Sequence, residues 1–166
     1  MKTLYLLRHA KSDWNGDKKL DDAQRPLSKR GKRDCQLIAN ELEQQKRRFN
    51  KVYCSSAIRA RETLARFQAE SSVFDDADIN IQDELYTFDA SALLNTLKEL
   101  PQEQDNAVVI GHNPAMAELA EQLCDGSIGH VGTATFIELH ANVEYWDQLR
   151  GDCAKLVEIL RPKYFR

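Results

Sequence analysis

The stretch that decides the fold is Thr3-Leu4-Tyr5-Leu6-Leu7-Arg8-His9-Ala10, an apolar run that ends in an arginine and a histidine. A run that is apolar on both faces is typical of a buried strand in a parallel sheet. Strands of this kind bring their last residues to the carboxyl edge of the sheet, where α/β proteins bind ligands. The run therefore predicts a strand over residues 3–7 with Arg8 and His9 at a binding edge. The alternative is an ordinary strand that ends in two polar residues.

A second histidine follows another apolar run. The segment Val108-Val109-Ile110-Gly111-His112-Asn113-Pro114 is rich in β-branched residues up to its glycine, and a helical pattern follows it. The segment predicts a second strand that delivers His112 to a sheet edge in the same way as the first strand delivers His9.

Two further segments place arginines where helices are expected to begin. A predicted strand over residues 51–54 gives way to a helix whose first turn carries Arg59. The segment Arg25-Pro26-Leu27-Ser28 is a turn that leads into a helix capped by Ser28. Free N–H groups at helix starts favour an anion, and a guanidinium can grip a phosphate with two parallel hydrogen bonds. Together with Arg8, these arginines indicate a site for an anion such as phosphate.

Strands and helices alternate along the chain. This alternation predicts right-handed crossovers and a mainly parallel sheet that is covered on both faces. The predicted strands are residues 3–7, 51–54, 79–82, 107–110 and 135–139, and the predicted helices are residues 29–45, 58–69, 91–100 and 115–123. The segment 155–160 suits a final strand or one face of a helix. We expect one domain over residues 1–166.

Composition narrows the classes of protein that the chain can belong to. Its 166 residues are 42% hydrophobic and 30% charged, as expected for a soluble globular domain. No apolar stretch approaches the roughly 20 residues that cross a bilayer, and the first residues lack a signal-peptide pattern. We therefore expect a cytoplasmic protein without a membrane partner. A net charge of −3 argues against nucleic acid as a partner.

The combination of motifs resembles the histidine phosphatase superfamily, also called the phosphoglycerate mutase-like superfamily, over nearly the whole chain. Arg8-His9-Ala10 is similar to the family's Arg-His-Gly signature, with Ala10 in place of the glycine. Arg59 matches the arginine of the family's Ser-Pro-x-x-Arg-Ala segment, although Ser56 replaces the proline, and His112 matches the second catalytic histidine. The likeness is strongest to the small bacterial branch, the SixA-type phosphohistidine phosphatases. In that branch Arg-His-Ala-Lys-Ser, Arg-Pro-Leu-Ser/Thr and Gly-His-Asn-Pro recur in this order.

The resemblance implies a three-layer α/β/α sandwich with a mainly parallel central sheet. It also implies that His9 accepts the phosphoryl group and that water then hydrolyses the phosphohistidine enzyme. The residues expected around the phosphate are Arg8, Arg59 and His112, with Arg25 beside them and with Ser12 and Asn15 matching polar residues of the family. Nearby arginines should lower the pKa of His9 and keep it neutral. The resemblance implies no cofactor, and arginines at the site would repel a metal ion.

Glu84, in Asp83-Glu84-Leu85-Tyr86, is the candidate for the general acid because it lies in about the right segment for the family's carboxylate. A solvated loop carboxylate is the alternative. A phosphohistidine substrate needs less help from an acid than an ester, because its leaving imidazole can carry a proton on its other nitrogen.

The leading hypothesis is a metal-independent phosphatase acting on phosphohistidine in a signalling protein, such as a phosphotransfer domain. The alternatives are a phosphatase for small-molecule phosphate esters, a mutase, and a phospho-binding module without activity.

Overall fold

Six β-strands of the computed structural model form one sheet, and the structure describes residues 1–14 and 20–166. The strands are β1 (Lys2–Arg8), β2 (Lys51–Ser55), β3 (Asp78–Gln82), β4 (Asn106–Gly111), β5 (Phe136–Ala141) and β6 (Ala154–Leu160). The helices in the described part of the chain are α1 (Lys29–Gln44), α2 (Ile58–Glu70), α3 (Ala90–Lys98) and α4 (Ala115–Cys124). The predicted helices and strands are confirmed, with small differences at their ends.

The strand order across the sheet is β3-β2-β4-β1-β5-β6. The first four of these strands are parallel, whereas β5 runs antiparallel to both of its neighbours. The ambiguous segment 155–160 belongs to strand β6, which pairs antiparallel with β5 from Ala154 to Leu160 with one irregularity between Glu138 and Leu139. The sheet is therefore mixed but mainly parallel, as the sequence predicts.

Strand β1 is buried on both of its faces. Leu4 and Leu6 pack into one apolar cluster together with residues of α3 and α4. Leu7 points to the opposite side and packs into a second cluster with residues of α1 and α2. Helices thus cover both faces of the sheet, which confirms the three-layer α/β/α sandwich.

The register between β1 and β4 sets the positions of the two histidines. Arg8 pairs with Gly111 at the carboxyl ends of these neighbouring parallel strands. The His9 N–H continues the ladder by donating to the Gly111 carbonyl at 3.0 Å. His9 and His112 are therefore adjacent residues at one edge of the sheet.

The start of α1 fixes the chain that follows His9. The Ser28 hydroxyl accepts from the Gly31 N–H and donates to the Lys11 carbonyl, both at 3.0 Å. The Ser28 N–H donates to the same carbonyl at 2.9 Å. A Cβ at position 31 would lie 2.2 Å from the Lys11 oxygen. Glycine at this position therefore allows the helix to pack directly on the backbone beside His9.

Gly31→Ala should lower the free energy of unfolding, measured by chemical denaturation. Alanine favours a helix over glycine by about 1 kcal/mol, but forcing a methyl group against a fixed backbone typically costs about 1–3 kcal/mol. The matched control is Gly126→Ala, because a Cβ there would meet its nearest neighbour at 4.0 Å. A Gly31→Ala protein as stable as wild type would show that the Lys11 backbone is free to move.

Candidate functional site

A cavity of about 550 Å³ opens at the carboxyl edge of the sheet. Arg8 and His9 reach it from the end of β1, and Arg59 reaches it from the first turn of α2. Ser12 and Thr135 also line it, from the segment after His9 and the residue before β5. The structure thus brings predicted site residues from distant parts of the sequence to one place.

His9 is held in a single tautomer. Its Nδ1 lies 2.7 Å from the Ala10 carbonyl oxygen, and a carbonyl can only accept, so Nδ1 carries the proton. Its Nε2 accepts from the Arg59 Nε–H at 3.3 Å and therefore keeps a lone pair. The side chain is buried, with 7% of the residue exposed. Nε2 is consequently the nitrogen available to attack an electrophile.

The environment of His9 keeps the imidazole neutral. Burial is the main reason that the pKa of His9 falls to about 4, and the positive charges of Arg59 and Arg8 lower it further. The Ala10 carbonyl and the Asp22 carboxylate oppose this shift without reversing it. The predicted neutral histidine is therefore consistent with the geometry, although burial contributes more than the arginines.

His112 lies with its ring centroid 5.1 Å from that of His9. Its Nε2 is 2.8 Å from the Ser55 hydroxyl, which also accepts from the Ala57 N–H at 3.2 Å. When the Ser55 proton is donated to Nε2, the His112 proton resides on Nδ1. Burial, followed by the charges of His9 and Arg59, lowers the pKa of His112 to about 3. His112 is thus a neutral imidazole beside the candidate nucleophile, and in the tautomer in which Ser55 donates to Nε2 it can donate from Nδ1.

Buried polar atoms without a hydrogen-bond partner occur in the residues beside His9. Of the four such side-chain atoms among the described residues, one is Arg66 Nε and the other three belong to Arg8 (Nε), His112 (Nδ1) and Thr135 (Oγ1). The Arg8 guanidinium is oriented by a bond from its Nη1 to the Val131 carbonyl at 3.1 Å. A buried donor without a partner costs about 1–3 kcal/mol. All three atoms can donate, so an oxyanion with several acceptor oxygens fits this part of the cavity.

Asp22 is a site residue that the sequence analysis did not identify. Its carboxylate accepts from Arg59 Nη2 at 2.9 Å, from Arg25 Nη2 at 2.6 Å and from the Tyr86 hydroxyl at 2.5 Å. Burial opposes ionisation, yet the hydrogen bonds from Tyr86 and Arg59 lower the pKa of Asp22 to about 2. Asp22 therefore supplies the negative charge that balances these arginines. In the sequence, the signal for this pairing was the position of Asp22 three residues before Arg25.

Tyr86 and Phe88 were also missed. Their rings meet His112 edge-on, at centroid distances of 5.3 and 5.5 Å. This packing holds the plane of the His112 ring. The sequence offered no signal for it beyond the aromatic character of a loop.

The remaining predicted residues have different placements. Ser12 is buried against the cavity, and its backbone forms a bridge with Leu27. Arg25 reaches the cavity through Asp22 rather than lining it. Asn15 lies outside the described residues. Glu84 is exposed on a short 3-10 helix and is not part of the described cavity lining, so its role as general acid stays a prediction.

Within residues 1–14 and 20–166, no group of three or more His, Cys, Asp or Glu side chains could hold a metal ion. No helix in that same part of the chain is long and apolar enough to cross a membrane.

A titration of the imidazoles by NMR should show His9 and His112 neutral at pH 6, with midpoints near 4 and 3. In unfolded protein the same histidines should titrate near the ordinary value of about 6.5. Between about pH 6.5 and 4 the unfolded chain then binds more protons than the folded chain. The free energy of unfolding should accordingly fall as the pH falls through this window. A midpoint for folded His9 near 6.5 would contradict the assigned environment.

Comparisons with known proteins identify a family to which the chain is similar. Residues 4–107 match the model of the histidine phosphatase superfamily (branch 1). An uncharacterized chloroplastic protein of Arabidopsis thaliana is 33% identical over 132 residues, which cover 75% of this chain and 60% of that protein. The chain thus spans less than two thirds of that relative's length.

Solved structures share the fold over almost the whole chain. A proposed phosphohistidine phosphatase SixA from Nakamurella multipartitia has a TM-score of 0.78 at 25% identity, covering 97% of this chain and 96% of that one. The protein histidine phosphatase SixA complexed with tungstate has a TM-score of 0.80 at 21% identity, covering 99% of both chains. A mycobacterial glucosyl-3-phosphoglycerate phosphatase has a TM-score of 0.65 at 16% identity, covering 94% of this chain and 97% of that one. With its paired histidines, its arginines and the match over residues 4–107, the chain belongs to the histidine phosphatase superfamily.

Proposed function

We propose that this protein is a phosphatase that removes the phosphoryl group from phosphohistidine in a cytoplasmic signalling protein, such as a phosphotransfer domain. The membership of the superfamily and the 25% identity to a proposed SixA phosphohistidine phosphatase support this assignment. A neutral imidazole among buried donors suits phosphoryl transfer, in which positioning and charge stabilisation do most of the work.

In the first step the lone pair of His9 Nε2 attacks phosphorus. The P–N bond of the substrate breaks, and its electron pair stays on the leaving imidazole. Arg8, Arg59 and the Nδ1–H of His112 donate to the phosphoryl oxygens, whose charge they stabilise. The hydrogen bond from His9 Nδ1 to the Ala10 carbonyl stabilises the positive charge that develops on the phosphorylated ring. In the second step water attacks phosphorus, and His9 leaves as a neutral imidazole.

The observation that supports the choice of substrate is that the carboxylate in the cavity accepts hydrogen bonds from Arg59, Arg25 and Tyr86. Among the residues that the structure describes there, Asp22 is the one carboxyl group, and with a pKa of about 2 it has no proton to donate at neutral pH. An alkoxide leaving group needs such a donor, and general acid catalysis is typically worth ~10²–10⁴-fold. An imidazole leaving group that is protonated on its other nitrogen does not. The site therefore favours a phosphoramidate over an alkyl ester.

The competing function is the hydrolysis of small-molecule phosphate esters. A glucosyl-3-phosphoglycerate phosphatase shares the fold, so the architecture alone accommodates that chemistry. In either case the guanidiniums supply the positive charge that a metal ion would otherwise provide, and the proposed activity needs no metal.

The test compares a phosphotransfer domain phosphorylated on histidine with a panel of sugar phosphates. We expect kcat/KM to be at least about 10²-fold higher on the phosphohistidine protein, since Asp22, the carboxyl group of the described cavity lining, has no proton to donate to an ester oxygen. His9→Ala should abolish both activities while circular dichroism shows an unchanged fold. Comparable rates on sugar phosphates would favour the small-ester function. Full activity of the His9→Ala protein would remove His9 as the nucleophile.

A further inference from the structure

The mouth of the cavity carries more positive charge than binding a phosphoryl group requires. Beyond Arg8 and Arg59, five cationic side chains line the described part of the cavity: Lys11, Arg30, Arg161, Lys163 and Arg166. They come from the segment after His9, from the first turn of α1 and from the C-terminal residues. Because the whole chain has a net charge of −3, this concentration of cations is local.

These five cations, which we call the basic rim, are poorly neutralised. Arg30 and Arg166 share one carboxylate, that of Asp34, at 3.8 and 3.1 Å. Arg161 donates to the carbonyls of residues 128 and 130, each at 3.0 Å, and carbonyls carry no net charge.

Lys11 and Lys163 have no carboxylate within 4.0 Å among the residues that the structure describes. Among the described residues, the five positive charges of the rim are therefore paired with one negative charge, that of Asp34. Such a surface attracts an anionic partner and accelerates its association.

Two aromatic side chains stand exposed at the same mouth. Trp14 is 69% exposed and Phe88 is 46% exposed, and both line the cavity. Each ring packs against a neighbouring side chain. The Arg25 guanidinium carbon lies 3.3 Å from the centre of the Trp14 ring, and the ring centroids of Phe88 and Tyr86 are 5.6 Å apart. Exposed aromatic residues that are held in place are enriched in the contact surfaces of protein partners.

Resting on the function proposed above, we propose that the basic rim and the two aromatic rings form a docking surface for an acidic protein surface. The partner presents its phosphohistidine to His9 and places carboxylates around it, opposite the rim. The basis is the clustering of five cations, of which only Arg30 and Arg166 pair with a described carboxylate, with exposed aromatic rings around the cavity mouth. A phosphoryl group bound at His9 is contacted by Arg8 and Arg59, and it is too small to contact all five side chains of the rim as well.

The contribution of the rim is tested with Lys11→Glu/Lys163→Glu. The control, Lys46→Glu/Lys155→Glu, makes the same change in net charge at exposed positions outside the cavity lining. The substrates are phosphoimidazole and a phosphotransfer domain phosphorylated on a histidine that is flanked by carboxylates. We expect the rim variant to lose at least about tenfold more kcat/KM on the domain than on phosphoimidazole, because like charges now face each other. The control variant should match wild type on both.

A second substrate locates the interaction. It is the same domain with the flanking carboxylates changed to amides. Wild type should lose kcat/KM on it, and the rim variant should no longer distinguish the two domains, as in a double-mutant cycle. High salt should reduce the advantage of the acidic domain for wild type.

The possible results distinguish a failure of the proposed function from a failure of the docking surface. If wild type hydrolyses neither phosphohistidine domain, the proposed function fails. If it hydrolyses both equally, or if rim and control variants behave alike, the function stands and the docking surface is wrong. An equal loss on the domain and on phosphoimidazole would show that the rim acts on the phosphoryl group itself, which also overturns the proposal.

Discussion

The parallel pairing of β1 with β4 is the constraint on which the site depends. It sets Arg8 opposite Gly111 and so brings His9 and His112 to the same point of the sheet edge. The orientation of the imidazole then depends on Ala10, whose N–H donates to the Thr63 hydroxyl at 3.0 Å while its carbonyl accepts from His9. Ala10 is fully buried, so its backbone is held by α2 and the sheet rather than by solvent. The orientation of the His9 ring therefore rests on the Ala10 backbone, which the Thr63 side chain holds in turn.

Charge is the second organising factor of the site. Burying guanidinium groups is costly unless an opposite charge accompanies them, and Asp22 supplies that charge to Arg59 and Arg25. An arriving phosphate offers the same kind of acceptor oxygens to the same guanidinium groups. The arginine cluster is therefore held in a conformation suited to an anion by a carboxylate of the protein itself. Because its pKa is low, the Asp22 carboxyl group stays ionised at neutral pH and has no proton to donate to a leaving group.

The sequence predicted the part of the site that local patterns encode. His9 and His112 directly follow apolar runs, and the carboxyl ends of such strands share an edge, so their meeting could be inferred. The contact between Asp22 and Tyr86 could not be inferred in this way, because it joins residues 64 positions apart in the sequence. For Glu84 the sequence left open a general acid or a solvated loop carboxylate, since a short turn in the sequence does not reveal which side chain faces inward. For segment 155–160, pairing with β5 decided between strand and helix, and pairing is a long-range property.

The central claim is that Nε2 of His9 carries the phosphoryl group during turnover. The most direct measurement is to mix the protein with a domain phosphorylated on histidine, quench within milliseconds under alkaline denaturing conditions, and locate the phosphate by mass spectrometry and NMR. We expect a transient phosphate that is acid-labile and base-stable, bound to His9 through Nε2, because Nδ1 is engaged by the Ala10 carbonyl. Phosphate on Nδ1 of His9 or on His112, or an enzyme that turns over without ever carrying phosphate, would contradict it.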